Sequence, residues 1–254
     1  MGKTAQFSCF YANLITQGKE RGFHVFIVQL RDENHQCLPG VECFEVGPKI
    51  GDNGTETGGL RLKNVRIPRE WMLCKNQVVH PDGTYEKKKS ASDKIQYSTM
   101  LTIRSGLVMS AGYRLMQAVT IAARYSCVRR QGFVDTNSTA RDAPELQIIE
   151  YQNQQYRLFK QLALAFAMVW TGKSVSEKFK RVMEALQGAD ADSSELPEMH
   201  AISSGLKALC TFEGAQGMEE CRKLCGGHGV LLVSGVAQMV SPADIERLNQ
   251  GRKN

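Results

Sequence analysis

The hydrophobic pattern of the chain changes character near Asp93. Before that point, apolar residues occur in short runs separated by Gly, Pro, Asp and Asn, and residues 23–30, 41–46 and 60–67 are the clearest strand candidates. After it, three long segments carry apolar residues at helical spacing: 95–131, 145–186 and 195–225. The pattern predicts an α+β protein, mainly α, in which the C-terminal part of a small antiparallel β-domain precedes an incomplete antiparallel helical bundle.

The boundaries of the helical segments follow from their flanking residues. Polar loops join the segments, and Pro144 and Pro197 occupy predicted first turns, where the missing backbone N–H costs little. Residues 231–240 are too few for another long helix, and Pro242 ends that run. The chain is therefore expected to contain a partial β-domain at residues 1–90, a helical domain at 93–235 and a tail at 236–254.

The composition narrows the class of partner. Of 254 residues, 42% are hydrophobic and 23% charged, which is typical of a globular protein. The net charge of +6 is modest, and the run at residues 87–89 is typical of a solvated loop, so no nucleic-acid partner is predicted. No apolar run reaches the ~18 residues of a membrane span. The eight cysteines, without a recognisable secretory signal, are expected to be reduced.

A glycine-rich loop follows the third helical segment. Gly226, Gly227 and Gly229 supply three glycines in four positions. Glycine adopts left-handed backbone angles and lets a ligand approach the amides, although a helix C-cap and turn is the ordinary explanation. Upstream, residues 124–131 read Arg-Tyr-Ser-Cys-Val-Arg-Arg-Gln. An arginine fork at Arg129 can bind phosphate through two hydrogen bonds, the alternative being an exposed arginine at a helix end.

Other chemistry is weakly supported by the sequence. Cys221, Cys225 and His228 are three potential zinc ligands, but no second pair has metal spacing, and no metal site is predicted. No histidine is placed by its spacing as a base for a cysteine nucleophile. The string at residues 2–4 resembles the end of a phosphate-binding P-loop but lacks the upstream glycines and strand.

The glycine loop and residues 124–131 together resemble the flavin-contacting elements of the acyl-CoA dehydrogenase and oxidase superfamily, and in particular its peroxisomal acyl-CoA oxidase branch. Other strings follow the same family order, so that the resemblance extends over roughly residues 2–235: 67–70, 81–85, 152–156 and 194–198. The resemblance implies an FAD cofactor. It also implies the contacts to that cofactor: Arg129, Gln131, Gly226, Gly227 and Gly229.

The resemblance further implies a function in fatty-acid β-oxidation. In that family a glutamate removes the α-proton of an acyl-CoA while the β-hydrogen passes as hydride to the flavin, and oxygen then reoxidises the flavin to give hydrogen peroxide. A peroxisomal homodimer with a shared flavin site is expected. Two alternatives stay open: an acyl-CoA dehydrogenase that uses an electron carrier, and a non-catalytic helical interaction protein derived from the family.

The family glutamate is not recognised in this chain. Residues 211–214 read Thr-Phe-Glu-Gly and resemble the family string that carries it, but they precede the glycine loop, whereas the family places that string after it. Glu213 is therefore interpreted as an ordinary helical carboxylate, and no catalytic residue is assigned. The chain is expected to be a fragment that does not turn over acyl-CoA by itself.

Overall fold

A computed structural model describes residues 2–49, 53–75, 77–87, 98–133, 144–187 and 192–240. The chain divides into two compact units, Met1–Ile95 and Gln96–Asn254.

The first unit is built from antiparallel strand pairs. Within its described residues, β1 (Phe7–Thr16) pairs with β2 (Lys19–Gln29), β3 (Val41–Glu45) with β4 (Gly58–Leu62), and β5 (Gln77–Val79) with β6 (Tyr85–Lys87). Gln17 and Gly18, both with positive φ, form the two-residue turn between β1 and β2, as the twist of a hairpin requires. Val28, Leu30 and Val41 are buried and form a hydrophobic core in this unit.

The second unit is a helical bundle. Its elements are α1 (Ser98–Val128), α2 (Gln152–Gln187), α3 (Leu196–Leu224) and the single-turn helix α4 (Val236–Met239). α1 packs against both α2 and α3. Apolar residues from all four helices form one continuous core, whose fully buried members include Val108, Leu115, Leu158, Met218 and Val236. Among the described residues, no helix combines the length and the apolar character needed to cross a membrane.

The predicted fold class, a mainly helical α+β protein with small antiparallel sheets before a bundle, is confirmed. Pro197 lies in the first turn of α3, as predicted. The strand predicted over residues 60–67 is shorter, because β4 ends at Leu62 and Asn64 adopts a left-handed conformation that breaks an extended strand.

The predicted start of the second helix is wrong. α2 begins at Gln152 rather than at residue 145, and Pro144 lies outside any helix. The backbone of Leu146 and Ile148 bonds instead to the segment that follows α1, and a 3-10 turn at Ile148–Glu150 leads into α2. The first helix likewise ends at Val128 rather than at residue 131, because the residues after it join this pairing.

Candidate functional site

The end of α1 leads into a short antiparallel ladder. The Ile148 amide donates to the Arg129 carbonyl at 2.9 Å, and the Gln131 amide donates to the Leu146 carbonyl at 2.9 Å. The Leu146 amide returns a bond to the Gly132 carbonyl at 2.8 Å. These bonds hold the backbone of Arg129 and Gln131 beside residues 146–148, just ahead of the start of α2.

Gly132 closes this ladder in a conformation that favours glycine. Its φ is +79°, and an added Cβ would lie 2.5 Å from the Tyr151 hydroxyl oxygen. That hydroxyl donates a hydrogen bond to the Gln131 carbonyl at 2.7 Å. A side chain at Gly132 would therefore displace the tyrosine that holds the Gln131 backbone.

The glycine loop begins directly after α3. Gly226 has a φ of +56°, which turns the chain out of the helix, and residues Gly226–Val230 form a 3-10 turn. An added Cβ at Gly226 or Gly227 would meet no atom within 4 Å, so both backbones are open on one side. At Gly229, by contrast, an added Cβ would overlap the Arg222 carbonyl. Gly229 is therefore buried against its own helix.

Side-chain hydrogen bonds connect the three helices around this loop. The Tyr125 hydroxyl lies 3.0 Å from His228 Nδ1 and so joins α1 to the glycine loop. Gln154 of α2 donates to Ser126 Oγ at 2.9 Å and to the Leu224 carbonyl at 3.0 Å. One amide side chain thus spans α1 and the last residue of α3.

A cavity of about 530 Å³ lies between these elements. Three of the five residues predicted to bind the cofactor line it: Arg129, Gln131 and Gly226. Gly227 and Gly229 do not line it. The rest of the wall was not among the assigned contacts, although Tyr125 belongs to the 124–131 string. It consists of Tyr125, Gly132, Ile148, Tyr151, Asn153, Gln154, Lys223 and Leu224.

The charges at this cavity are mostly basic. Arg129 and Lys223 both line it, and no carboxylate of the described residues pairs with Arg129. Lys223 Nζ lies 3.0 Å from a Glu220 oxygen, but Glu220 also accepts two bonds from Arg157, at 2.7 and 3.2 Å. Arg157 therefore neutralises part of the negative charge of Glu220. The positive charges of Arg129 and Lys223 then make the cavity suited to an anion.

Comparison with known proteins decides the family. The family model for the acyl-CoA oxidase C-alpha1 domain matches residues 97–252. The chain belongs to the acyl-CoA oxidase family. It is 45% identical over 237 residues to mouse peroxisomal acyl-coenzyme A oxidase 1, an alignment that covers 93% of this chain and 34% of the relative. Against Drosophila melanogaster acyl-coenzyme A oxidase 1 it is 42% identical over 232 residues, covering 91% and 33%. The chain therefore spans about a third of the length of these relatives.

Solved acyl-CoA oxidase structures share the fold. Arabidopsis thaliana acyl-CoA oxidase 1 superposes with a TM-score of 0.83 at 40% identity, covering 97% of this chain and 38% of that one. Acyl-CoA oxidase-2 of Caenorhabditis elegans, solved with FAD, ascaroside-CoA and ATP, superposes with a TM-score of 0.81 at 37% identity, covering 97% and 37%.

The other residues considered from the sequence, Glu213, Cys221 and Cys225, do not line the cavity. Glu213 lies within α3, ahead of the glycine loop, as predicted. Burial raises the pKa of the Cys221 thiol to about 12 and also raises that of Cys225, so both thiols are held in the protonated form. The described part of the chain contains no group of three His, Cys, Asp or Glu side chains arranged to bind a metal.

The carboxylates near the cavity make the helical unit sensitive to acid. A hydrogen bond from Arg222 lowers the pKa of Glu219, and one from Arg157 lowers that of Glu220. Because these pKa values are depressed by folding, their stabilisation is complete above the ordinary glutamate value of about 4.3 and is lost as the pH falls through the folded values. Glu220→Gln is expected to destabilise the bundle at neutral pH by about 0.5–1 kcal/mol, since both partners are partly exposed.

Urea unfolding followed by circular dichroism at neutral and acidic pH measures this effect. The difference between Glu220→Gln and the parent chain is expected to shrink below about pH 4. Glu184→Gln is the matched control, because within the described residues Glu184 forms a single 3.9 Å pair, with Lys180 on the exposed face of α2. A loss in Glu220→Gln that is the same at every pH would contradict the assignment.

Proposed function

We propose that this chain supplies part of the FAD site of an acyl-CoA oxidase of fatty-acid β-oxidation. The reaction converts acyl-CoA and O2 to trans-2-enoyl-CoA and H2O2. The observation that carries the proposal is the convergence of Arg129, Gln131 and Gly226, from two separate segments, on one basic cavity.

The residues of the cavity fit the chemistry of FAD. The cofactor carries a pyrophosphate, and the Arg129 guanidinium and Lys223 ammonium are suited to its oxygens. Gly226 has no side chain to block approach to its backbone, and Tyr125 and Tyr151 add aromatic surface. A cavity of about 530 Å³ lies within the usual range for small-molecule sites, and is suited to part of a dinucleotide.

Each residue has a defined task in this proposal. Arg129 binds phosphate oxygens, while Tyr151 and Gly132 hold the adjacent backbone in place. Gln154 and the Tyr125–His228 contact fix the glycine loop relative to α1. When bound, FAD would supply the two-electron acceptor for the substrate hydride and the route of those electrons to oxygen. No residue of this chain is assigned to remove the α-proton.

The names of the relatives support the cofactor and the compartment. Two Caenorhabditis elegans acyl-CoA oxidases superpose on this chain and were solved with FAD bound. The mouse and human relatives are named as peroxisomal enzymes. FAD as cofactor, acyl-CoA as substrate and the peroxisome as location are proposed for this chain on that basis.

We also propose a homodimer in which Arg129 and the Gly226 loop reach a flavin held largely by the partner subunit. Arg129 is exposed, and the cavity that it lines is open to solvent on one side, so a second chain can complete the enclosure. Light scattering at micromolar concentration tests this association. A stable monomer under all conditions that load FAD would contradict it.

A segment exchange tests the proposed function. The aligned region of the mouse oxidase is replaced by the segment of this chain that aligns with it over 237 residues. Peroxide release from acyl-CoA is then measured in air. The exchanged enzyme is expected to retain FAD and to form one H2O2 for each enoyl-CoA. Enoyl-CoA formed only when an electron carrier is added would indicate a dehydrogenase.

The matched control is the same exchanged enzyme carrying Arg129→Gln, which is expected to lose FAD and peroxide release together. Circular dichroism establishes that both proteins fold. A folded exchange enzyme that takes up no FAD would contradict the proposed function and favour a non-catalytic helical protein.

A further inference from the structure

A second basic cluster lies at the other end of the bundle, between α1 and α3. Arg104 Nη1 donates to His200 Nε2 at 3.2 Å and to Ser204 Oγ at 3.0 Å. Residues 200, 204 and 207 are spaced by four and three positions, so they share one face of α3. Lys207 lies one turn beyond Ser204 on this face, near enough to Arg104 for the two charges to interact.

The cluster has two cations, Arg104 and Lys207, that no carboxylate in the described part of the chain pairs with. Burial, and then the neighbouring Arg104, lowers the pKa of Lys207. Among the described residues no carboxylate is bonded to either cation, and the sequence of α1 contains no Asp or Glu. Glu198, which lies on the preceding turn of α3, is bonded to Lys178 at 2.7 Å. An anion bound here would remove the repulsion between the two cations.

The hydrogen bonds of Arg104 orient the guanidinium for such a ligand. His200 and Ser204 of α3 both accept hydrogen bonds from the same nitrogen, Nη1. Nε and Nη2 form no hydrogen bond within the part of the chain that the structure describes. These two N–H groups lie on one edge of the guanidinium and match two oxygens of a phosphate.

We propose that Arg104, His200 and Lys207 form a binding site for the phosphate group of a small anionic ligand. Arg104 and Lys207 neutralise the charge, and His200 and Ser204 fix the arginine. Arg104 lies near the start of α1 and Arg129 directly follows its last residue, so at 1.5 Å per residue the two are about 37 Å apart along the helix axis. The site is therefore separate from the cavity proposed to contact FAD.

Titration of the 254-residue chain with inorganic phosphate tests the proposal. Binding is followed by calorimetry, with ionic strength held constant by chloride because screening alone alters charged surfaces. Saturable binding is expected, and Arg104→Gln and Lys207→Gln are each expected to weaken it about 10-fold or more. Arg181→Gln, which removes an exposed arginine from α2, is the matched control and is expected to bind as the parent does.

Parallel titrations with a nucleoside triphosphate and with coenzyme A distinguish the sources of the phosphate. The ligand whose affinity falls most in both variants is the one that depends most on this site. Unfolding by urea checks that the variants fold, and Lys207→Gln keeps the test valid if Arg104→Gln does not, since the described residues give Lys207 Nζ no hydrogen bond. Absence of saturable binding, or equal affinity in the parent and both variants, would overturn the proposal. FAD is omitted throughout, so failure here leaves the proposed flavin contact standing.

Discussion

Arg129→Gln is expected to weaken FAD binding by about 10- to 100-fold. Arg129 is the arginine of the cavity wall, and no carboxylate of the described residues competes for its guanidinium. Hydrogen bonds to charged groups contribute about 1.5–3 kcal/mol, and each 1.4 kcal/mol corresponds to a tenfold change in affinity. Glutamine retains hydrogen-bonding capacity but loses both the charge and the two-pronged geometry.

Arg130→Gln is the matched control for this prediction. Arg130 is adjacent in sequence and has the same charge, but its side chain donates to the Glu145 carbonyl at 2.8 Å and does not line the cavity. Quenching of flavin fluorescence during titration with each protein measures the affinities. Equal losses in the two variants would mean that overall charge, rather than the position of Arg129, governs binding.

Gly172→Ala is expected to destabilise the helical unit by about 1–3 kcal/mol. An added Cβ at Gly172 of α2 would lie 2.6 Å from the Met109 Cα and 2.7 Å from its backbone nitrogen. On the opposite helix, a Cβ at Gly112 would lie 2.9 Å from the Val169 nitrogen. The two glycines therefore allow α1 and α2 to approach closely, and the clash is with backbone atoms, which cannot rotate away.

Gly205→Ala provides the opposite result in the same bundle. Gly205 lies on the exposed face of α3, and an added Cβ there would meet no atom within 4 Å. Since alanine is favoured over glycine in helices by about 1 kcal/mol, this variant is expected to be as stable as the parent or more so. Urea unfolding followed by circular dichroism measures both. Similar stability for the two variants would contradict the close helix contact.

The sequence predicted the long helices well because their apolar spacing is a local property. Pro197 also marked the start of α3, since proline favours a first turn. Residues 145–151 were assigned wrongly because their helical spacing competes with backbone bonds to residues 129–132, which are distant in sequence. No local pattern indicates a pairing of this kind.

The candidate site was likewise predicted only in part. Arg129, Gln131 and Gly226 were identified from short sequence strings, and they meet at one cavity. Tyr151 and Lys223 were missed, because their place in the wall depends on the packing of α2 and α3 against α1. Lys223 had a usable signal, since it lies close to the glycine loop in sequence. Gly229 remains a predicted FAD contact, although its lack of a side chain already serves its packing against Arg222.

The most direct test of the flavin proposal is a map of amide chemical shifts during FAD titration of the isotope-labelled chain. Saturable shifts are expected at the amides of Gly226, Gln131 and Gly132 and at the Arg129 guanidinium, with little change at the Arg104 cluster. Arg129→Gln should shift the whole titration to higher FAD concentration. Absence of saturable shifts around the cavity, or shifts centred elsewhere in the bundle, would contradict the proposal that these residues contact FAD.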